Sequence, residues 1–175
     1  MGIRYYLPHS TDCFICGESN QFGVDVRFFV EDNFVKADLF IPKKFCGFKG
    51  VVHGGIVSAL LDECMGWSAC VFGTKDTLCF TRNLNVKFKK NTPSETELVL
   101  ETFYLGSKRV IHEAGGYIKD RDGNIYAEGF GQFISIPAEM MAQTMNYLRL
   151  EEGLTYHPVF IEIYEKWNKT SKLSK

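Results

Sequence analysis

Gly50-Val-Val-His-Gly-Gly-Ile-Val-Ser-Ala-Leu-Leu-Asp-Glu-Cys-Met-Gly-Trp-Ser-Ala-Cys-Val-Phe-Gly-Thr74 reads as a loop closing on His53, a glycine pair, and a helix from about Gly55 to about Phe72. Asp62 and Glu63 are its sole formal charges between Lys49 and Lys75, and a helix apolar on nearly every side belongs inside a protein. Gly55, Ser58, Ala59, Gly66 and Ala69 fall near Asp62 at helical spacing, which lets a second backbone approach closely. A carboxylate in such a place is costly unless it has partners or a task. The glycines open a helix whose first amides lack internal acceptors and form an anion site. One stretch thus carries oxyanion donors and a sequestered acid, the equipment of acyl transfer or hydrolysis. The same residues also fit a tight turn followed by a satisfied structural aspartate, and spacing alone does not choose between the two.

Outward from the helix the period changes to two. Before it, Val24 to Val30 alternates, Glu31-Asp32-Asn33 turns the chain, and Phe34 to Ile41 alternates again until Pro42. After Gly73, Leu84, Val86 and Phe88 face one way, and Asn83, Asn85, Lys87 and Lys89 the other. Thr96 to Tyr104, Val110 to Lys119 and Ile125 to Ile136 complete the strands, with Asp122-Gly123 marking a hairpin. This order predicts an α+β domain over residues 1–137, an antiparallel sheet of about six strands wrapped round one helix. Residues 1–12 read as a loosely docked arm anchored by Tyr5 and Tyr6. Residues 138–175 form an extension: an amphipathic helix over 138–152, a segment Val159–Trp167 that suits strand or helix, and a polar tail from Lys169 to Lys175.

A chain of 175 residues, 45% hydrophobic and 14% aromatic, builds a substantial core and is not disordered. Its net charge of -1 gives no global attraction to nucleic acid or to a membrane surface. The uncharged pieces of the central stretch, 50–61 and 64–74, fall short of the ~20 residues a membrane helix needs, so it reads as a core helix. Met1-Gly-Ile-Arg-Tyr-Tyr has no apolar signal core, and Tyr6 stands where a myristoylation motif wants Ser or Thr. A cytosolic chain is expected, with its six cysteines as thiols and the Asn168-Lys-Thr170 acceptor unmodified. Cys13-Phe-Ile-Cys16-Gly17 is a lone CxxC, whereas zinc takes four ligands. His9 and Cys46 are the remaining residues to complete a site, and a knuckle-like turn at the domain edge fits the spacing better, so no metal is expected.

Geometry along the helix adds a demand. At about 1.5 Å per residue, Asp62 lies roughly 12 Å from the Gly54 amide. One carbonyl cannot sit about 3 Å from both. If both act on one substrate they come from different chains, and a two-fold homodimer with two interface sites is expected.

Taken together, these residues resemble the hotdog-fold acyl-CoA thioesterases, in the branch with the phenylacetate-degradation thioesterase and the mammalian thioesterase superfamily members. The resemblance covers about residues 13–137 and is carried by Cys13-Phe-Ile-Cys16-Gly17 with Asn20 and Gly23, Gly50-Val-Val-His-Gly-Gly with Leu61-Asp62-Glu63, and Thr81-Arg-Asn-Leu84-Asn85-Val-Lys-Phe88. It implies that the backbone N–H of Gly54 or Gly55 binds the thioester oxygen and that Asp62 of the partner chain activates water or attacks directly. It also implies that Thr81 holds the lytic water and that His53 shapes the loop and bonds the thioester or a neighbouring carbonyl. Glu63 is then a structural neighbour. No cofactor is implied beyond the CoA of the substrate, whose phosphates need a basic rim. Lys89, Lys90, Lys108 and Arg109 suit that rim by their place at strand ends, and Asn20 is a candidate for the acyl pocket. Lys89-Lys90-Asn91 departs from the Arg-Pro that often closes that strand in the family, as does a tail of nearly forty residues. A homodimer or dimer of dimers acting on acyl-CoA is the expectation. The alternatives are a non-catalytic acyl-CoA-binding hotdog module and a hotdog dehydratase or hydratase of 3-hydroxyacyl thioesters.

Overall fold

The computed structural model describes residues 2–172, with side chains through Trp167. The end of the predicted polar tail and the side chains of the Asn168-Lys-Thr170 motif lie outside the described residues. In chain order, β1 (Tyr5–Tyr6) and β2 (His9–Ser10) belong to the leader, β3 (Phe29–Glu31) and β4 (Phe34–Phe40) make a hairpin, and β5 (Cys46–Phe48) and β6 (Val51–Val52) a smaller one. The central helix α1 (Gly54–Ser68) follows, then β7 (Cys79–Phe88), β8 (Glu97–Lys108), β9 (Ile111–Lys119) and β10 (Ile125–Ser135). The chain continues through α2 (Ala138–Met145), β11 (Leu148–Arg149) and α3 (Pro158–Lys172). Among the described residues the main sheet is antiparallel and seven-stranded, in the order β1-β3-β4-β8-β9-β10-β7. It wraps α1, as the change of period predicts. The seventh strand is the leader's β1.

Leu60, Leu61, Cys64 and Met65 of α1 are fully buried against this sheet. The helix lies close because β10 offers glycines beneath it: a Cβ on Gly129 would stand 3.0 Å from Met65 Cε and 3.2 Å from Leu61 Cδ2. A small polar lock fixes the register of helix on sheet. Ser68 Oγ lies 2.7 Å from Thr102 Oγ1, which reaches the Cys64 carbonyl at 3.1 Å. Beyond Ser68 the helix widens into a π-helical segment, Ala69–Thr74, and stops at Lys75, which has left-handed φ of 62°. The whole helical run Gly54–Thr74 does have the length and composition of a membrane span, unlike its two uncharged pieces taken separately. Its apolar residues are spent on the core instead.

Several local expectations change. Residues 24–28 are not a sheet strand; Val24 and Val26 donate to the carbonyls of Phe14 and Ile15 in the leader (2.9 Å each). The leader is accordingly not a loose arm, since Leu7 and His9 are buried and β2 pairs with β11. The helix expected over 138–152 ends at Met145, because Leu148 and Arg149 take that pairing. Val159–Trp167 resolves as helix, and α3 runs on through residues assigned to the tail. Met141, Met145, Phe160 and Ile163 join the same core cluster as α1. The extension is thus packed onto the domain, with Phe160 edge-on to Trp67 at 6.2 Å.

Candidate active site

The glycine end of α1 is built by the β5–β6 hairpin. Val52 N–H donates to Thr92 O and His53 N–H to Phe45 O, both at 2.9 Å, and deliver His53 to the helix start. His53 caps the helix with its ring: Nδ1 accepts from Gly55 N–H at 2.9 Å, and its carbonyl accepts from Ile56 N–H at 2.9 Å. That leaves Gly54 N–H with no acceptor among the described residues, while Gly55 N–H is engaged. Both glycines sit close under a neighbouring ring, the exposed Phe88 over Gly54 and the capping His53 over Gly55. A Cβ at Gly54 would meet Phe88 Cζ at 3.3 Å, and one at Gly55 would meet His53 Nδ1 at 3.0 Å. A cavity of about 310 Å³ opens here, lined by Phe48, His53, Gly54, Phe88 and Lys90 among others.

Two turns along α1, Asp62 borders a second cavity of about 420 Å³ with Cys13, Glu63, Trp67, Thr81 and Leu148. Its walls come from the leader, α1, the edge strand β7 and the C-terminal extension. Asp62 is half-buried in the single chain, and Thr81 Oγ1 donates to its Oδ1 at 2.9 Å. Burial pushes the Asp62 carboxyl above its ordinary value, and the Thr81 bond opposes that rise. The second oxygen has no protein donor among the described residues.

Glu63, next along the helix, turns towards the CxxC. Cys13 Sγ and Glu63 Oε2 are hydrogen-bonded at 3.1 Å. Bonding with Cys16 draws the Cys13 thiol down to about 5, and the same sharing pushes Cys16 up. Burial, then the Cys13 charge, pushes Glu63 up to about 8. The CxxC is therefore not an edge feature. It stands at the wall of the Asp62 cavity, a placement the sequence hides because the partners are 50 residues apart. All six cysteines are free thiols.

The basic residues divide between the two ends. Lys89 and Lys90 follow β7 where its Phe88 pairs with Ala127, and Lys90 lines the Gly54 cavity. Lys89 is held by Glu128 at 3.0 Å and Lys90 by Asn124 Oδ1 at 3.0 Å. Lys108 and Arg109 turn the chain at the opposite end, where Lys108 pairs with Ile111, Ile111 with Ile134, and Ile134 with Phe80. Asn20 is spent on its own turn, accepting from Phe22 N–H at 3.1 Å and donating to Asp12 O at 3.3 Å. Of the aromatics that the sequence suggests for the pocket, Phe48 lines the glycine cavity and Trp67 the acid cavity. Phe45 instead meets Phe14, and Phe72 meets His157. Leu148 and Thr144, supplied by the extension, carry no signal in the sequence that would mark them as cavity walls.

One chain thus presents two separate cavities: an amide donor with a cationic neighbour at one, an acid with a bonded hydroxyl at the other. Between them Gly55, Ser58, Ala59, Asp62 and Gly66 form a stripe of α1 that the sheet leaves incompletely covered. Beside it runs β7, an edge strand of ten residues whose side chains are mostly exposed.

Comparison with known proteins agrees with this architecture. Residues 49–126 match the family model of the thioesterase superfamily. No curated protein matches the chain. Among solved structures, a thioesterase superfamily protein superposes with a TM-score of 0.63 at 24% identity, over 70% of this chain and 62% of that one. A Streptococcus mutans protein bound to acetyl CoA gives 0.56 at 14% identity, over 63% of this chain and 88% of that one. The E. coli PaaI protein from the phenylacetic acid degradation operon gives 0.57 at 12% identity, over 65% and 81%. At these identities the structures speak for the fold, and the sequence match for the segment from the end of the β5–β6 hairpin into β10. Over residues 49–126 the chain is similar to the thioesterase superfamily, and its architecture is that of the hotdog fold.

Proposed function

We propose that two copies of this chain pair across β7 and the stripe of α1, and that each shared site hydrolyses an acyl-CoA thioester. The observation that carries this reading is the division of labour within one chain. Gly54 N–H and the Thr81–Asp62 pair open into different cavities, roughly 12 Å apart along the helix axis. Pairing two antiparallel helices brings one chain's amide to the other chain's acid, which neither chain achieves alone. It also covers an exposed edge strand, which proteins seldom leave bare.

In this site Gly54 N–H donates to the thioester oxygen, aided by the positive end of the α1 dipole. Thr81 fixes Asp62 through one carboxylate oxygen, and the other takes a proton from water. Water oxygen bonds to the carbonyl carbon, the tetrahedral oxyanion collapses, and the C–S bond breaks. The CoA thiolate leaves with the proton held on Asp62, giving free acid and CoA. The chemistry needs no metal or redox group. Gly55 and His53 hold the loop, since the Gly55 amide is already bonded to the His53 ring. Lys90 from one chain and Lys108 and Arg109 from the other approach one site in such a pair, and suit the CoA phosphates. Acetyl CoA bound to the similar Streptococcus mutans protein supports a CoA-linked substrate. Membership of the phenylacetate branch and a cytosolic location belong to the same proposal, with aryl-acetyl thioesters among the substrates to test.

The test is thiol release from a panel of acyl-CoAs, short to long and aryl-acetyl, by wild type and Asp62→Asn. Wild type should release thiol, and Asp62→Asn should lose about 10²–10⁴-fold in kcat while still binding substrate. Tight binding with no thiol from any member would instead mark a non-catalytic binding module. Hydration of crotonyl-CoA would mark a hydratase.

A further inference from the structure

The leader turn Cys13–Cys16 and Glu63 of α1 converge on one point at the cavity wall. Cys13 Sγ lies 3.1 Å from Glu63 Oε2, and the ligand atoms of Cys13, Cys16 and Glu63 are all within 4.8 Å of one another. Around a tetrahedral zinc, with sulfur at about 2.3 Å and oxygen at about 2.0–2.2 Å, ligand atoms stand roughly 3.3–3.8 Å apart. The three side chains need close by only about 1 Å to match it. Each of these groups becomes anionic when it loses its proton, and no lysine or arginine pairs with Glu63 among the described residues. Three acids meeting without a cation is an arrangement that a divalent ion satisfies and that apolar packing does not explain. Backbone amides already face the sulfurs: Ile15 N–H donates to Cys13 Sγ at 3.3 Å and Ser10 N–H to Cys16 Sγ at 3.4 Å. Such outer contacts orient thiolate ligands.

We propose that Cys13, Cys16 and Glu63 bind a thiophilic divalent cation of the zinc class, with water from the adjoining cavity in the fourth position. The pattern of the sequence supplies two ligands, and the fold supplies the third from the helix. His9 is not among them, because its Nε2 faces Glu18 Oε2 at 2.6 Å. Cys46 lies on β5 with the glycine end. On binding, the ion displaces the protons these groups carry and ties the leader to α1. The leader in turn pairs with β11, so one ion would secure three separate parts of the chain. This site is independent of the thioesterase reading and is tested without any activity assay.

Reduced full-length protein, stripped of metal by a chelator, is titrated with Zn²⁺ against a chromophoric competitor and with Co²⁺ alone. One tightly held Zn²⁺ per chain is expected, together with a thiolate-to-cobalt charge-transfer band. Zn²⁺ should also slow alkylation of Cys13 in wild type. Cys16→Ser and Glu63→Gln should each weaken Zn²⁺ binding by at least about tenfold, while Cys46→Ser leaves it unchanged. Reduced wild type that yields all its Zn²⁺ to the competitor, with no cobalt band and no protection of Cys13, overturns the proposal. So does equal affinity in wild type, Cys16→Ser and Glu63→Gln. The wild-type measurements stand even if a variant folds poorly.

Discussion

Thr81 and Asp62 show how one hydroxyl sets the behaviour of a half-buried acid. The 2.9 Å bond from Thr81 Oγ1 fixes one carboxylate oxygen and offsets part of the cost of burial. Hydrogen bonds to charged groups contribute about 1.5–3 kcal/mol. Thr81→Val should therefore lower kcat by roughly tenfold to a hundredfold with a smaller change in KM, and Thr81→Ser should restore most of it; steady-state kinetics on the best panel substrate decides. A loss confined to KM would place Thr81 in substrate binding instead. Asp62 was legible in the sequence because helical spacing ties it to the glycines. Glu63 was not, since its neighbours are cysteines of a distant leader whose docking no local pattern announces. The engagement of Gly55 N–H was likewise hidden, because it depends on a ring rotamer of His53.

At the scale of elements, α1 and the strands that follow it are legible from period alone, but the ends of the chain and the order of pairing are not: the last four strands are no simple meander, because β7 pairs with β10 and β8 with β4. The 138–152 pattern was amphipathic, yet tertiary pairing of β11 with β2 overrides helix propensity after Met145. The π-helical end of α1 is also set by packing, against His157 and the start of α3. His157 sits between Tyr5 and Phe72, and its Nδ1 is buried with no partner among the described residues. Burial holds its pKa below the ordinary imidazole value of about 6.5, and His112 shifts the same way for the same reason. At these two sites the folded chain therefore binds protons less readily than the unfolded one. Their contribution to stability is fully present above about 6.5 and is lost as pH falls through the folded values, while the raised carboxyl of Glu63 works in the opposite direction. The test is therefore a difference: between about pH 7.5 and 5 the thermal midpoint of His157→Gln should fall less, or rise more, than that of wild type. Parallel pH profiles for the two proteins would refute this assignment.

At the scale of the whole molecule, the proposal makes a single chain chemically incomplete, because its amide donor and its acid open into two separate cavities. In the proposed dimer, the incompletely covered stripe of α1 and the exposed β7 form the surface that the second copy covers. Ser58 lies on that stripe, and among the described residues its hydroxyl bonds only to Gly54 O of its own helix. Ser58→Arg should accordingly leave each chain folded, shift sedimentation from dimer towards monomer, and abolish thiol release. An active monomer would contradict the shared site. The sequence allowed this inference only as arithmetic on helix rise, because an interface between copies leaves no periodic signature of its own.

The most direct measurement mixes two variants that the proposal expects to be inactive. Asp62→Asn removes the base. Gly54→Pro removes the amide donor at the first helical position, which tolerates proline, and His53 already has the extended backbone (φ -59°, ψ 134°) that a following proline requires. Unfolded, mixed and refolded in equal amounts, the two variants should regain roughly a quarter of wild-type thiol release, because half the dimers would carry one intact site. A mixture no more active than its components would show that Gly54 and Asp62 do not act together across the subunits.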